Sequence, residues 1–169
     1  MRKEIISWND VDQLIDHLIP QFHTEFDALL GLTKGGIVPA GILSEALNLN
    51  YILLVSVEIP EEFKMDQQIL DPRLIAWPRI NHFPEDEKLK GKKVLIVTNA
   101  WGTGRMISSV KNRVSGAGGT PFTAVLHYNP GRNLFKDEKP DFFAAVTDAW
   151  IIYPWESARG VDPVLSDIK

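Results

Sequence analysis

Between Lys92 and Lys111 the chain reads KKVLIVTNAWGTGRMISSVK. Val94 to Val97 form an unbroken apolar run, the mark of a strand covered on both faces. A Gly-Thr-Gly turn follows, and the segment RMISSVKNRVSGAGG beyond it has helical spacing and ends in glycines. A strand buried on both faces needs parallel neighbours and helices to cover it, so this stretch points to the α/β class. It also builds a seat for an anion, because the turn amides and the helix N-terminus face the same point. Between strand and turn stand Thr98, Asn99, Ala100 and Trp101, with no carboxylate among them.

The remaining segments fit the same plan. SWNDVDQLIDHLI sets Val11, Leu14, Ile15 and Leu18 on one helical face, with Asn9 as the expected N-cap. Phe26 to Leu32 reads as a buried strand ending at TKGG. VPAGILSEALNLN follows as a helix with Pro39 in its first turn and Ile42, Leu43, Ala46 and Leu47 as its apolar stripe. YILLVSVE, PFTAVLHY, FFAAV and WIIYP are the further strands. From Ile59 to Lys90 the pattern is broken by Pro60, Pro72, Pro78 and Pro84, with a short hairpin around LIAW as an alternative to a bare loop. A loop of that length in a compact domain is usually functional or mobile. The 169 residues, without internal repeat, read as one domain spanning 1–169. The expected fold is a mostly parallel sheet with helices on both faces. Its ligand belongs outside the carboxyl ends of the strands, at GLTKGG, IVTNAWGTG, LHYNPG and YPWES.

A net charge of -4 argues against nonspecific nucleic-acid or membrane-surface binding. The absence of cysteine excludes disulfides, thiol nucleophiles and thiolate metal sites. MRKEIISWND has no apolar signal core and no apolar run approaches a membrane span, so a cytoplasmic location is expected.

In TKGG, Thr33 to Gly36, two glycines let backbone amides approach an anion and Lys34 adds a full charge. In GTGR, Thr103 offers a hydroxyl, Gly102 and Gly104 permit tight wrapping, and Arg105 can fork onto a phosphate. Each taken singly also reads as a tight strand-to-helix connection. The spacing is not that of a P-loop. Trp150, Tyr153 and Trp155 in WIIYPWES could stack a flat base or serve a core or interface, and at most one face of that strand can serve a pocket. The four histidines lack ligand spacing: His127 reads as a packed residue, and His17, His23 and His82 as surface. PEE and PEDEK read as solvated charge.

These loops, in this order, resemble the type I phosphoribosyltransferases, most closely the xanthine/guanine (6-oxopurine) branch. SWNDVDQLIDHL is similar to that branch's opening helix, DALLGLTKGGIVPAGILSEALN to its pyrophosphate-loop region, KKVLIVTNAWGTGRM to its phosphoribosyl pyrophosphate (PRPP) motif, and DAWIIYPWES to its base-binding end. The resemblance implies that Thr33, Lys34, Gly35 and Gly36 hold pyrophosphate, with a cis peptide at Thr33–Lys34. It implies that Gly102, Thr103, Gly104 and Arg105 wrap the 5′-phosphate, with Thr98 and Asn99 at the ribose. Trp150 would cover the purine and Ile151 would meet its edge through backbone atoms. Residues 59–90 would form the hood, the flexible loop of the fold. Magnesium as the cofactor of an active form, and a homodimer, are also implied.

The departures from the family pattern are specific. Its two adjacent acidic residues, which bind the ribose hydroxyls and help place magnesium, are Thr98 and Asn99 here. A further Asp is Gly102, a loop-closing Thr is Met106, and the purine-reading Lys is expected near Tyr128 or Asn129, where neither residue is basic. Hydrogen bonds to charged groups contribute ~1.5–3 kcal/mol and neutral ones ~0.5–1.5, so the exchange weakens sugar binding by ~1–4 kcal/mol. Loss of a general acid/base removes a further ~10²–10⁴ in rate. Catalytic residues are therefore not assigned. Three functions follow: a weakened PRPP-dependent transferase for 6-oxopurines, a noncatalytic nucleotide sensor or regulatory subunit, or an interaction module in which Trp101, Trp150 and Trp155 form a protein interface and Trp101 plugs the phosphate site.

Overall fold

The computed structural model describes residues 2–59 and 77–157. In chain order the elements are β1 (Lys3–Ile5), α1 (Trp8–Leu18), β2 (Ala28–Thr33), α2 (Ile37–Ala46), β3 (Ile52–Glu58), β4 (Arg79–His82), β5 (Lys93–Trp101), α3 (Arg105–Gly116), β6 (Thr120–Tyr128), β7 (Phe142–Val146) and β8 (Trp150–Ile152). A short helix, Pro154–Ser157, closes the described chain. The main sheet has the order β4-β3-β2-β5-β6-β7 and is parallel except for β4, which runs antiparallel to β3. β1 and β8 pair in parallel as a separate two-stranded ribbon.

The apolar runs alternate between two cores, which is why they contain no polar face. Leu29, Leu95, Val97, Ala124 and Leu126 pack with α1 and α2, whereas Leu30, Val94, Ile96 and Val125 pack with α3. Successive strand side chains point to opposite faces, so a strand feeding both cores must be apolar at every step. Both faces of the sheet are thereby covered by helices.

Local details differ from the sequence expectations at three places. The N-cap of α1 is Ser7, not Asn9: its hydroxyl accepts from Asp10 N–H while the Asp10 carboxylate accepts from Ser7 N–H, a reciprocal capping box. On α2 the buried face is Pro39, Ala40, Leu43 and Ser44, and Ala46 lies exposed at the last turn. Within the 59–90 stretch a strand, β4, extends the sheet edge; LIAW lies outside the described residues except for Trp77.

Candidate functional site

β2 ends at Thr33 and α2 begins at Ile37, so the chain turns over Lys34, Gly35 and Gly36. The Thr33–Lys34 peptide is cis. Gly36 is a packing glycine: a methyl group there would overlap the Val97 carbonyl oxygen of β5. At Gly35 a methyl group would overlap the side-chain amide of Asn99. The first turn is thus docked on the carboxyl end of β5.

The second turn leaves β5 after Trp101 and enters α3 at Arg105. Gly104 has φ 82°, a left-handed conformation natural to glycine, and a Cβ there would stand 2.6 Å from Trp101 Nε1. Trp101 is 1% exposed, and its Nε1 donates to Asn133 Oδ1 at 3.1 Å. The indole is therefore packed into the core that covers α3, and the crevice in front of it is open, contrary to the plug that an interaction module requires.

Thr33, Lys34 and Gly35 from the first turn and Gly102, Thr103 and Gly104 from the second line one cleft of about 210 Å³, with Thr98 and Asn99 between them. Gly36 lies beneath this surface. Arg105 lines the adjoining pocket of about 300 Å³, together with Arg132, Asn129, Trp150 and Ile151. Burial first, and the Arg132 charge second, push the Arg105 guanidinium below its ordinary pKa. Arg132 lies over the Trp150 ring at 5.6 Å. Trp150 is half-exposed, whereas Tyr153 and Trp155 stack on each other and pack against the core.

Ile151 lines this pocket, and the β1–β8 ladder sets where its backbone groups point. In the parallel β1–β8 pair Trp150 N–H donates to Arg2 O and Ile152 O accepts from Ile6 N–H. The alternation of a parallel ladder then turns the N–H and C=O of Ile151 away from β1.

Behind the cleft runs a buried hydrogen-bond chain. The Tyr153 hydroxyl has one proton and donates it to Asn99 O at 2.8 Å. His127 Nδ1, 2.9 Å from the same hydroxyl, is therefore the protonated nitrogen and donates. Burial lowers the His127 pKa against an opposing pull from Glu4, and burial raises the Tyr153 hydroxyl well above its usual range. His127 is the packed residue expected, and His17, His23 and His82 are exposed.

Asn99 Oδ1 accepts from Ala100 N–H at 2.8 Å, which fixes the amide orientation and points Nδ2 at Glu156 Oε1, 3.5 Å away. The other Glu156 oxygen accepts from Tyr153 N–H at 3.0 Å. Among the described residues lining the cleft and the pocket, Glu156 is the one carboxylate. Sequence reading passed over it, although it lies within the quoted YPWES loop; it also passed over Arg132, three residues beyond Asn129. Asp148 faces away, paired with Arg2 at 2.6 Å.

No group of three or more His, Cys, Asp or Glu suited to a metal forms among the described residues. Magnesium is held through one or two carboxylates together with substrate phosphates. A single carboxylate already bonded to Tyr153 and close to Asn99 does not make a resident magnesium site.

A family model described as a phosphoribosyl transferase domain matches residues 2–157. The fold is similar to that of a purine phosphoribosyltransferase from Pyrococcus horikoshii, at 25% identity and TM-score 0.74 over 93% of this chain and 95% of that one. A Neisseria gonorrhoeae protein solved with bound ppGpp matches at 21% identity and TM-score 0.73, covering 94% and 91%. The Helicobacter pylori xanthine-guanine-hypoxanthine phosphoribosyltransferase matches at 17% identity and TM-score 0.72, covering 99% and 98%.

Proposed function

The chain belongs to the phosphoribosyl transferase domain family, and from that premise we propose that it binds a purine nucleoside 5′-phosphate or PRPP across the cleft and the pocket beside it. The observation that carries this reading is the convergence of the Thr33–Gly35 and Gly102–Gly104 turns on one cleft that adjoins Trp150. Backbone amides at the head of α3, with the positive end of its dipole, suit a 5′-phosphate, and Lys34 with its glycines suits pyrophosphate. Trp150 offers a flat face to the base, the free edge of Ile151 offers a donor and an acceptor, and Arg132 offers donors to a purine carbonyl.

In the transfer reaction of this reading the C1′–oxygen bond of PRPP breaks, its electrons leave on pyrophosphate, and a 6-oxopurine nitrogen forms the new bond to C1′ and gives up its proton to the departing pyrophosphate. The product is a purine nucleotide, which makes the role one of nucleotide salvage. Thr98 and Asn99 are neutral, so neither of them supplies a charge-assisted contact to the sugar, and turnover slower than a carboxylate pair would give is expected. A second reading, a noncatalytic nucleotide sensor, is favoured by the poor fit to magnesium of the donors among the described residues.

Isothermal titration with PRPP, GMP and IMP, each with and without magnesium, tests the binding. The Neisseria protein of the same fold carries ppGpp, so ppGpp joins the panel. No heat with any of these ligands sinks the proposal. Nucleotide formation from PRPP and guanine, xanthine or hypoxanthine then divides the two readings: product supports the transferase, and binding without product supports the sensor.

A further inference from the structure

The cleft between the two turns and the pocket beside Trp150 share a border formed by Asn99, Ala100, Trp101, Gly102, Thr103, Met106 and Glu156. A ligand with its phosphate in one and its base in the other must carry its sugar over this border. Of the border residues only Glu156 is charged. A sugar presents hydroxyl donors, and an ionised carboxylate is the strongest acceptor a side chain offers them.

We infer that Glu156 is the sugar-reading residue of this site: its carboxylate accepts hydrogen bonds from the 2′- and 3′-hydroxyls of the bound ribose, and Asn99 is a neutral amide because it must stand beside that charge. The inference rests on the nucleotide-binding reading above. Glu156 is held in place from two sides, by Tyr153 N–H on Oε2 and by the Asn99 amide near Oε1. Tyr153 in turn bonds the Asn99 carbonyl, so the three residues close a ring that fixes the carboxylate relative to the end of β5. Each carboxylate oxygen can accept two hydrogen bonds and has one neighbour in the ring, and the residue is exposed, so acceptor capacity remains for a ligand. Asn99 is turned toward Glu156 by its own bond to Ala100 N–H. A carboxylate at residue 99 would set two like charges about one hydrogen-bond length apart, which disfavours both.

The test compares GMP with 2′,3′-dideoxyguanosine 5′-monophosphate by titration calorimetry on the full chain. The unmodified protein is expected to prefer GMP about tenfold or more, the scale of a hydrogen bond to a charged group. Glu156→Gln keeps an acceptor for Tyr153 N–H but loses the charge, and it is expected to bind the two ligands within about threefold of each other. Asn99→Asp is expected to lower GMP affinity about tenfold, and Asn99→Asp with Glu156→Gln to recover it to within about threefold, because one negative charge is again present at the border. If Glu156→Gln keeps the ratio of the unmodified protein, or the unmodified protein shows no ratio, the inference is overturned and Glu156 only caps the short helix Pro154–Ser157. If the double substitution binds no better than Asn99→Asp, the charge relation between 99 and 156 is overturned. No heat from the unmodified chain with either ligand overturns the nucleotide-binding reading itself, which distinguishes that failure from the others.

Discussion

Gly35 lies against the Asn99 amide so closely that a methyl group at residue 35 would overlap Oδ1. The pairing joins the two loops that line the cleft: one partner belongs to the turn before α2, the other to the end of β5. The neighbouring glycine is held differently, since Gly36 abuts the Val97 carbonyl oxygen, which is backbone. A side-chain amide can rotate away from an added methyl, whereas a strand carbonyl cannot.

The two glycines should therefore fail in different ways. Gly36→Ala forces backbone apart and is expected to destabilise by about 1–3 kcal/mol, the usual scale of overpacking. Gly35→Ala is expected to change stability by less than about 1 kcal/mol while displacing Asn99 from Glu156 and reducing GMP affinity about tenfold. Urea unfolding and calorimetric titration on both variants check the contrast. Equal losses of stability would show that the Asn99 side chain is as immovable as the strand.

Asn133 ties the loop after β6 to the second turn. Its Oδ1 accepts from Trp101 Nε1 at 3.1 Å, and its Nδ2 donates to Glu138 O at 2.6 Å and Phe135 O at 3.0 Å. Asn133→Ala leaves the buried indole N–H without its acceptor, which costs about 1–3 kcal/mol. Gly104 packs against the same atoms, so ligand affinity should fall with stability. An unchanged urea midpoint would rule out this anchoring role.

The sheet was legible in the sequence because each central strand feeds two cores and therefore leaves an unbroken apolar run, as in Val94 to Val97. The two glycine turns were legible for a related reason: strand, glycines and helix are contiguous, so their geometry is local. β1 was not legible, since its three residues, Lys3, Glu4 and Ile5, are all exposed and pair with β8 from the far end of the chain. The N-cap of α1 was misread because Ser7 and Asn9 are both good caps, and the choice depends on Asp10 closing the box with Ser7. Glu156 and Arg132 were missed because a lone carboxylate or guanidinium has no periodicity; what marks them is the space they border. Two other acidic residues lie elsewhere: Asp148 pairs with Arg2, and Glu58 is exposed at the end of β3.

Arg132 over Trp150 makes the base side of the site cationic. Replacing Arg132 with Gln keeps hydrogen-bond donors and removes the charge, and is expected to weaken GMP binding by about tenfold and to flatten its dependence on salt. Arg132→Lys should not restore full affinity, because an ammonium lacks the planar fork that stacks on an indole. Titrations at two salt concentrations provide the check. Equal affinity across all three forms would move the base elsewhere.

The buried His127–Tyr153–Asn99 chain gives the protein a stability profile that depends on pH. Burial holds the His127 pKa below its ordinary value, with Glu4 pulling the other way, and the groups facing the ring are Tyr153, the residue after β8, and Glu4 from β1. In the unfolded chain the imidazole titrates near ~6.5. Above that pH both states hold it neutral, and the contribution to stability is fully present. As pH falls below it, the unfolded chain takes up a proton that the folded chain refuses, and stability is lost until the lowered folded pKa has been passed. The carboxyls of Asp10 and Asp148 are also lowered, chiefly by Ser7 N–H and by Arg2, so their contributions fade only below about pH 4. The urea midpoint is therefore expected to be level from pH 8 to 7 and to decline between pH 6.5 and 5. His127→Gln, which retains a donor for the Tyr153 hydroxyl and cannot titrate, should remove that decline while keeping the midpoint at pH 8 close to the original. A decline that survives the substitution assigns the titration to another group and dissociates the buried chain from it.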